Sequence, residues 1–541
     1  MDQGAPQLID SGKGSTTIFY NNRYLYPSRA PREGAERRAE RFTIKPQTLA
    51  VVCSPLLLYG VDILLKKLPV DSHILAIETD QRLMAMLERS PLYHIITDKR
   101  INIIRSSSPE DICAYLQKLD IGRFRRACLI TLNAGYSLYA DTYRKIYKSI
   151  EEEIQSFWQN KATLMHMGPL WIRNIFKNFT ENTPIEDIEG LKVNKPIIVT
   201  GAGESLENSI PFIKENKKQV FVLAVDTALP CLYENDIMPD LVCALDAQHI
   251  NTGDFNKNIS DTIPVAFDLS SSPIVPRLLN GKRYVFLSDF AKTNLFQQLK
   301  DHAVLPKKIP ALGSVGIVAI DIAMSLTALP VFFTGLDFCY TPGKPHAKGA
   351  LTHRIWLERH NRFSALLLSN FTFERQPKLI KDRNGEKKAV DSRMLIFHKQ
   401  FQQNISFYQK QEAKERLYDI AEEGLVSGAA VIDLPTASQI INNAQNKSQS
   451  IISDKSKAKP LNNENIHGFL SNIKKELEGV RTAGYSFLSR REQREYLLSK
   501  LSSLDWLYLH FPEHIAEPKD DADFIKRCLM AVDYYLGYIK K

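Results

Sequence analysis

Close cysteine pairs are missing from this chain. Its seven cysteines, Cys53, Cys113, Cys128, Cys231, Cys243, Cys339 and Cys528, are scattered, form no CxxC and mostly stand inside apolar runs. That spacing argues against a disulfide framework and against a paired-ligand zinc site, and it fits buried thiols in a reducing compartment. Long apolar runs are missing too, for none reaches the roughly 18 to 20 residues that span a bilayer. The first residues, MDQGAPQLIDSG, lack the basic stretch and apolar core of a secretory leader. The expectation is a cytoplasmic protein with no membrane partner. An excess of one charge sign is nearly absent: 70 basic against 61 acidic residues leave +9. Over this length that is no nucleic-acid signature, and it suits a small anionic substrate as well. The denser basic stretches are 29–41, where Glu33, Glu36 and Glu40 interleave the arginines, and Arg123, Arg125 and Arg126. They read as solvated faces or a mobile arm.

What is present is an ordinary globular mixture, 44% hydrophobic and 24% charged, in 541 residues. A single core does not serve that length, and about three structural units are expected. A polar arm occupies 1–45. Over 46–135 short apolar runs alternate with helical patterns, as in a small α/β domain with a parallel sheet. A helical connector with Trp158 and Trp171 follows over 136–194. From 195 to 440 strand-length runs rich in Val, Ile and Phe start near 197, 220, 241, 265, 284 and 331, which indicates a doubly wound, Rossmann-like domain. Asn, Lys and Ser dominate a linker at 441–466, and helical spacing returns in a C-terminal module at 467–541.

The sharpest local signal is Val199-Thr200-Gly201-Ala202-Gly203-Glu204-Ser205-Leu206, where a strand ends and a helix starts. Gly201 and Gly203 allow a backbone to approach a phosphate, and Ser205 is placed to cap the helix whose first amides face the anion. A tight turn with a cap is the plainer reading. Asp226 and Asp246 stand at the ends of the next two strands, suited to a ribose hydroxyl or, less specifically, to capping. A second glycine-marked helix start, Gly313-Ser314-Val315-Gly316, offers a second anion site; close helix packing is its alternative. After the strand near 331 come Gly335-Leu336-Asp337-Phe338 and the polar loop Tyr340-Thr341-Pro342-Gly343-Lys344-Pro345-His346-Ala347-Lys348-Gly349. His346 is the preferred general base, since an imidazole titrates near neutrality, and Lys344 and Lys348 are placed to neutralise a developing phosphate charge. An idle loop histidine is the competing view.

The order GxGxSL, Asp226, Pro239-Asp240, Asp246, GSVG, GLDFCY and HAKG resembles the MptE-like domain, also called domain of unknown function 115. That domain occurs in motility-associated factors, proposed to be flagellin glycosyltransferases, and in archaeal 6-hydroxymethylpterin diphosphokinases. The resemblance covers roughly 195–360, and the flanking domains look like the motility-associated members. It implies transfer of a nonulosonic, sialic-acid-like sugar from a CMP-activated donor to Ser or Thr of flagellin. Carried over, Gly201, Gly203 and Ser205 hold the nucleotide, Gly313 and Ser314 the phosphate side, and His346 stands in the base position. Glu204 departs from the family, which usually has proline there.

No metal or cofactor is firmly implied. A diphosphokinase-like pyrophosphoryl transfer, the first alternative, needs Mg²⁺ on carboxylates such as Asp226, Asp246 or Asp337. The second alternative is a non-catalytic flagellin-binding assembly factor. The apolar strand before Cys53-Ser54-Pro55 lacks a glycine pattern, so the first domain reads as structural or as a module for acceptor recognition.

Overall fold

The computed structural model describes residues 4–12, 15–180, 184–255, 262–363, 377–410, 416–448, 460–484, 490–510 and 521–539. The chain folds as two compact units, Met1–Thr163 and Leu164–Lys541. In the first, β1 (Gln7–Asp10), β2 (Thr16–Tyr20) and β3 (Arg23–Tyr24) form an antiparallel sheet, followed by a helix over Pro31–Glu40. Then β4 (Thr48–Cys53), β5 (His73–Glu78), β6 (Ile101–Arg105) and β7 (Arg126–Thr131) make a parallel sheet in the order β6-β5-β4-β7.

The expected polar arm is therefore folded over its described residues. Asn21 and Asn22 both take left-handed φ, 48° and 58°, as a tight hairpin turn requires. Ile18, Tyr20, Leu25, Tyr26, Ala35 and Ala39 join the core that also holds Ala50 and Val52 of β4. Only the arginine-bearing face of the helix stays solvated, with Arg32 on Glu36 at 2.7 Å. Arg125, exposed as expected, also lies with its guanidinium 3.4 Å from the centre of the Trp158 ring.

In the second unit β8 (Glu186–Asp187), β9 (Ile197–Thr200), β10 (Phe221–Val225), β11 (Leu241–Ala244), β12 (Val265–Asp268), β13 (Arg283–Asp289), β14 (Lys308–Pro310) and β15 (Val331–Thr334) follow in turn. An antiparallel hairpin, β16 (Lys378–Lys381) with β17 (Lys387–Val390), precedes β18 (Leu417–Asp419) and β19 (Ala430–Val431). The main sheet is parallel, in the order β14-β13-β12-β11-β10-β9-β15-β18-β19, with β8 paired to β13. Every residue of β9, β11, β12 and β15 is buried, because helices cover both faces, and this is why these strands are predominantly apolar, interrupted only by Thr200, Asp268 and Thr334 at their carboxyl ends. The helix Val315–Leu326 shares one core with β9, β10 and β15. A second core unites β12 and β13 with Ile172, Ile175 and Phe176 and with the C-terminal helices Asn463–Gly484 and Asp521–Leu536. The α/β, doubly wound expectation is borne out.

Two segments depart from the sequence reading. The helix Leu434–Ser448 runs into the stretch taken for a linker, while 449–459 of that stretch lie outside the described residues. The C-terminal helices share the core of the sheet rather than forming one of their own. The strand order fixes where a ligand is expected. From β9 the chain steps outward through β10 to β14, then returns to β15 on the other side of β9. The reversal lies between β9 and β15, and the crevice beyond the carboxyl ends of two such strands is where open α/β sheets bind ligands.

Candidate active site

Both loops at the reversal are glycine-marked, and each needs its glycines because of the other. Gly201 N–H donates to Thr334 O at 2.8 Å, and Gly203 N–H to Gly335 O at 2.8 Å. A Cβ on Gly203 would meet Asp337 Oδ2 at 2.5 Å, and one on Gly335, whose φ is +70°, would overlap the Gly201 carbonyl. Ser205 closes the junction. Its N–H donates to Asp337 Oδ2 at 2.9 Å, its hydroxyl donates to Asp337 Oδ1, and its Oγ accepts from Gly335 N–H at 2.9 Å. The expected capping role of Ser205 is thus overturned: its side chain makes no cap bond to the helix Leu206–Asn216, because Asp337 and Gly335 take it. Asp337 is likewise committed to this floor. Burial pushes its carboxyl up to about 7 in spite of the two Ser205 donors.

The second glycine turn lies against the first. A Cβ on Gly201 would come within 2.5 Å of Leu336 Cδ2, and a Cβ on Gly316 would overlap the same atom. The half-buried Leu336 side chain therefore sits between the two helix starts, and both turns border one place in the fold. Gly313 takes φ +66°, and Ser314 is extended and makes no side-chain cap bond to Val315–Leu326.

The polar loop after β15 folds onto the first turn. Ala347 N–H donates to Ala202 O at 2.8 Å, which brings the half-buried His346 beside that turn. Glu204 points into the loop. It accepts from Thr341 Oγ1 at 2.5 Å and pairs with Lys344 and Lys388, each at 3.1 Å. Burial alone would raise the Glu204 carboxyl, but the Thr341 hydroxyl and the two ammoniums outweigh it and hold it below the usual range. Lys344 also meets Glu207 at 2.9 Å, so its charge is already matched inside the chain. Lys348 is exposed, and its backbone N–H donates to Glu207 at 2.7 Å.

Further along the same sheet edge stand the carboxylates. Asp226 is buried and accepts from the N–H of Thr227 at 2.9 Å, so it is neither an open ligand nor a cap; Asp246 is exposed. Desolvation first, then the charges of Asp246 and Asp254, raise Asp226 well above its ordinary value. Burial, helped by Asp246, lifts Asp254 to about 6. The loop bearing Asp246 and the neighbouring loop after β12 are pinned from below: Asn174 donates to Ala247 O at 3.1 Å and Ser270 O at 3.0 Å, and Asn178 to Leu269 O at 2.8 Å. Among the described residues no three His, Cys, Asp or Glu are arranged to hold a metal ion.

Sequence reasoning missed Lys388, Thr341, Asp254, Asn174 and Asn178. For Lys388 a signal was available: Asn384-Gly385 is a hairpin dipeptide, and it turns β16 into β17, where Lys388 lies.

Residues 172–343 match the family model described as 6-hydroxymethylpterin diphosphokinase MptE-like, which bears out the resemblance carried by the motif order. The match stops just before Lys344 and His346. An uncharacterized protein of Treponema pallidum (strain Nichols) is 26% identical over 555 aligned positions, covering 99% of this chain and 95% of its own length. A second from that organism is 25% identical over 170 residues, covering 30% of this chain and 77% of itself. Among solved structures, the MAf glycosyltransferase from Magnetospirillum magneticum AMB-1 has a TM-score of 0.59 at 14% identity, over 99% of this chain and 87% of that one. At that identity the likeness is one of fold. No described helix is long and apolar enough to cross a membrane.

Proposed function

We propose, with the MptE-like match of residues 172–343 as premise, that this chain is a glycosyltransferase of the motility-associated factor type. It moves a nonulosonic sugar from a CMP-activated donor to Ser or Thr of flagellin. One observation carries the reading: two glycine-marked helix starts meet at Leu336 on the reversal of the sheet, and the His346 loop is tied to the first of them. The fold likeness to a MAf glycosyltransferase supports it. In this reading His346 takes the acceptor hydroxyl proton as the oxygen bonds to the anomeric carbon. The bond from that carbon to the phosphate oxygen breaks, and its electron pair leaves with CMP. The helix starts at Leu206 and Val315, with the exposed Lys348, offset the charge on the departing monoester, while Lys344 is held by Glu204 and Glu207.

The test is the intact mass of purified flagellin after incubation with the full chain and a CMP-activated nonulosonic acid. An increase of one sugar residue is the expected outcome, and an unchanged mass with an active donor refutes it.

Pyrophosphoryl transfer to a pterin is the second reading, favoured by the description of the family model. It requires Mg²⁺, and the carboxylates as they stand do not fit one: Asp226 is buried and held towards its protonated form, Asp337 is hydrogen-bonded to Ser205, and the exposed Asp246 belongs to no group of three potential ligands among the described residues. Mg²⁺-dependent release of AMP from ATP with hydroxymethylpterin would revive it.

A further inference from the structure

Glu204 occupies a place built for an anion. Its carboxylate lies at the start of the helix Leu206–Asn216, where the helix dipole favours negative charge. It is met there by the Thr341 hydroxyl and by two ammoniums. Lys388 is the unusual member. Its side chain is 7% exposed, it arrives from the separate hairpin β16–β17, and it spends its three donors on Glu204, Glu423 and Thr341. A lysine is seldom buried so far unless an anion is to be held. With Glu204 in place, three carboxylates, Glu204, Glu207 and Glu423, face two lysines, Lys344 and Lys388. The cluster then repels a second anion. With Glu204 swung out, each lysine keeps one carboxylate and regains a free donor.

We infer that Thr341, Lys344 and Lys388 form an oxyanion subsite that Glu204 fills as a placeholder and yields to an anionic group of the incoming donor. The inference rests on the reading of the site as a donor site, and it names the contact that reading left open. A CMP-activated nonulosonic acid carries two suitable groups, a phosphate and a sugar carboxylate, and both offer the charge and the acceptor oxygens that Glu204 now supplies. Glu204 thereby sets donor affinity: only a ligand whose anion outcompetes a tethered carboxylate is retained. A neutral nucleoside gains nothing from the exchange.

The experiment is calorimetric titration of the full chain, wild type and Glu204→Gln, with CMP, with cytidine and with free N-acetylneuraminic acid. Glutamine keeps an acceptor for Thr341 and removes the competing charge. Affinity of Glu204→Gln should rise about tenfold, the change expected for one charge-assisted hydrogen bond, for whichever anion uses the subsite and not for cytidine. A gain for CMP assigns the phosphate, and a gain for the sugar acid assigns the carboxylate. Independently, inorganic phosphate should raise the melting temperature of Glu204→Ala saturably, and adding Lys388→Met should remove that effect. Equal or weaker anion binding by Glu204→Gln, together with no phosphate effect on Glu204→Ala, overturns the subsite. If CMP binds neither protein yet phosphate still stabilises Glu204→Ala, the subsite stands and the nucleotide reading falls.

Discussion

Replacing Gly335 by alanine separates two costs that a glycine at a loop junction usually hides. At φ +70° any L residue pays for the left-handed backbone, about 1 kcal/mol. Gly385, at φ +83°, pays the same, and a Cβ there meets nothing within 4 Å. At Gly335 the new Cβ also overlaps the carbonyl of Gly201, with the carbonyl carbon at 2.7 Å and Cα at 3.2 Å. Those atoms are backbone at the end of a strand buried on both faces, so they do not swing aside as a side chain would. Overpacking of this kind adds about 1–3 kcal/mol. Gly335→Ala should therefore lower the unfolding free energy of the second unit, read from urea titration, by about 3 kcal/mol, against about 1 kcal/mol for Gly385→Ala. It should also weaken CMP binding, because the two loops of the crevice must part. Equal losses for the two variants would show that the loops do not meet as described.

Asp337→Asn tests the buried floor through pH. Burial lifts the folded-state value to about 7 from 3.8, so folding retains a proton that the unfolded chain has lost. That stability is complete below the unfolded value and is lost as pH rises through the folded one; the neutral Asn variant should thus gain on the wild type in thermal melts between about pH 4 and about pH 7. A constant difference across that range contradicts the assignment. Lys388→Met leaves Glu204 and Glu423 without their shared cation and should cost about 3 kcal/mol in chemical unfolding, whereas an exposed pair would cost under 1 kcal/mol. His346→Ala should slow sugar transfer by about 10²- to 10³-fold while CMP affinity holds, and an unchanged rate removes His346 from the chemistry.

The central strands were readable because burial on both faces favours Val, Ile, Leu, Phe and Ala along most of their length; Ile197–Thr200 and Val331–Thr334 stand where the apolar runs place them. The charged hairpin β16–β17 and the three-residue β18 carry no such run. The expected polar arm hid a core contribution because arginines of one helix face dominate its composition, while the residues it buries are few and spaced between them. At the site, glycine positions were legible and partners were not. Nothing near Ser205 distinguishes a cap from a bond to Asp337, which lies 132 residues away. Glu204 stood out only as a departure from the family's usual proline, because both of its lysines come from distant segments, and the Asn384-Gly385 turn that places Lys388 does not tell that it is buried. The candidate site is built from loops that the sheet order brings together.

The most direct test of the account is hydrogen exchange of the full chain with and without CMP. Slower exchange confined to amides at 201–206, 313–318 and 335–349 is the outcome expected if both helix starts border one nucleotide. Protection elsewhere, or none at saturating CMP, would contradict the claim that the reversal of the sheet is the donor site.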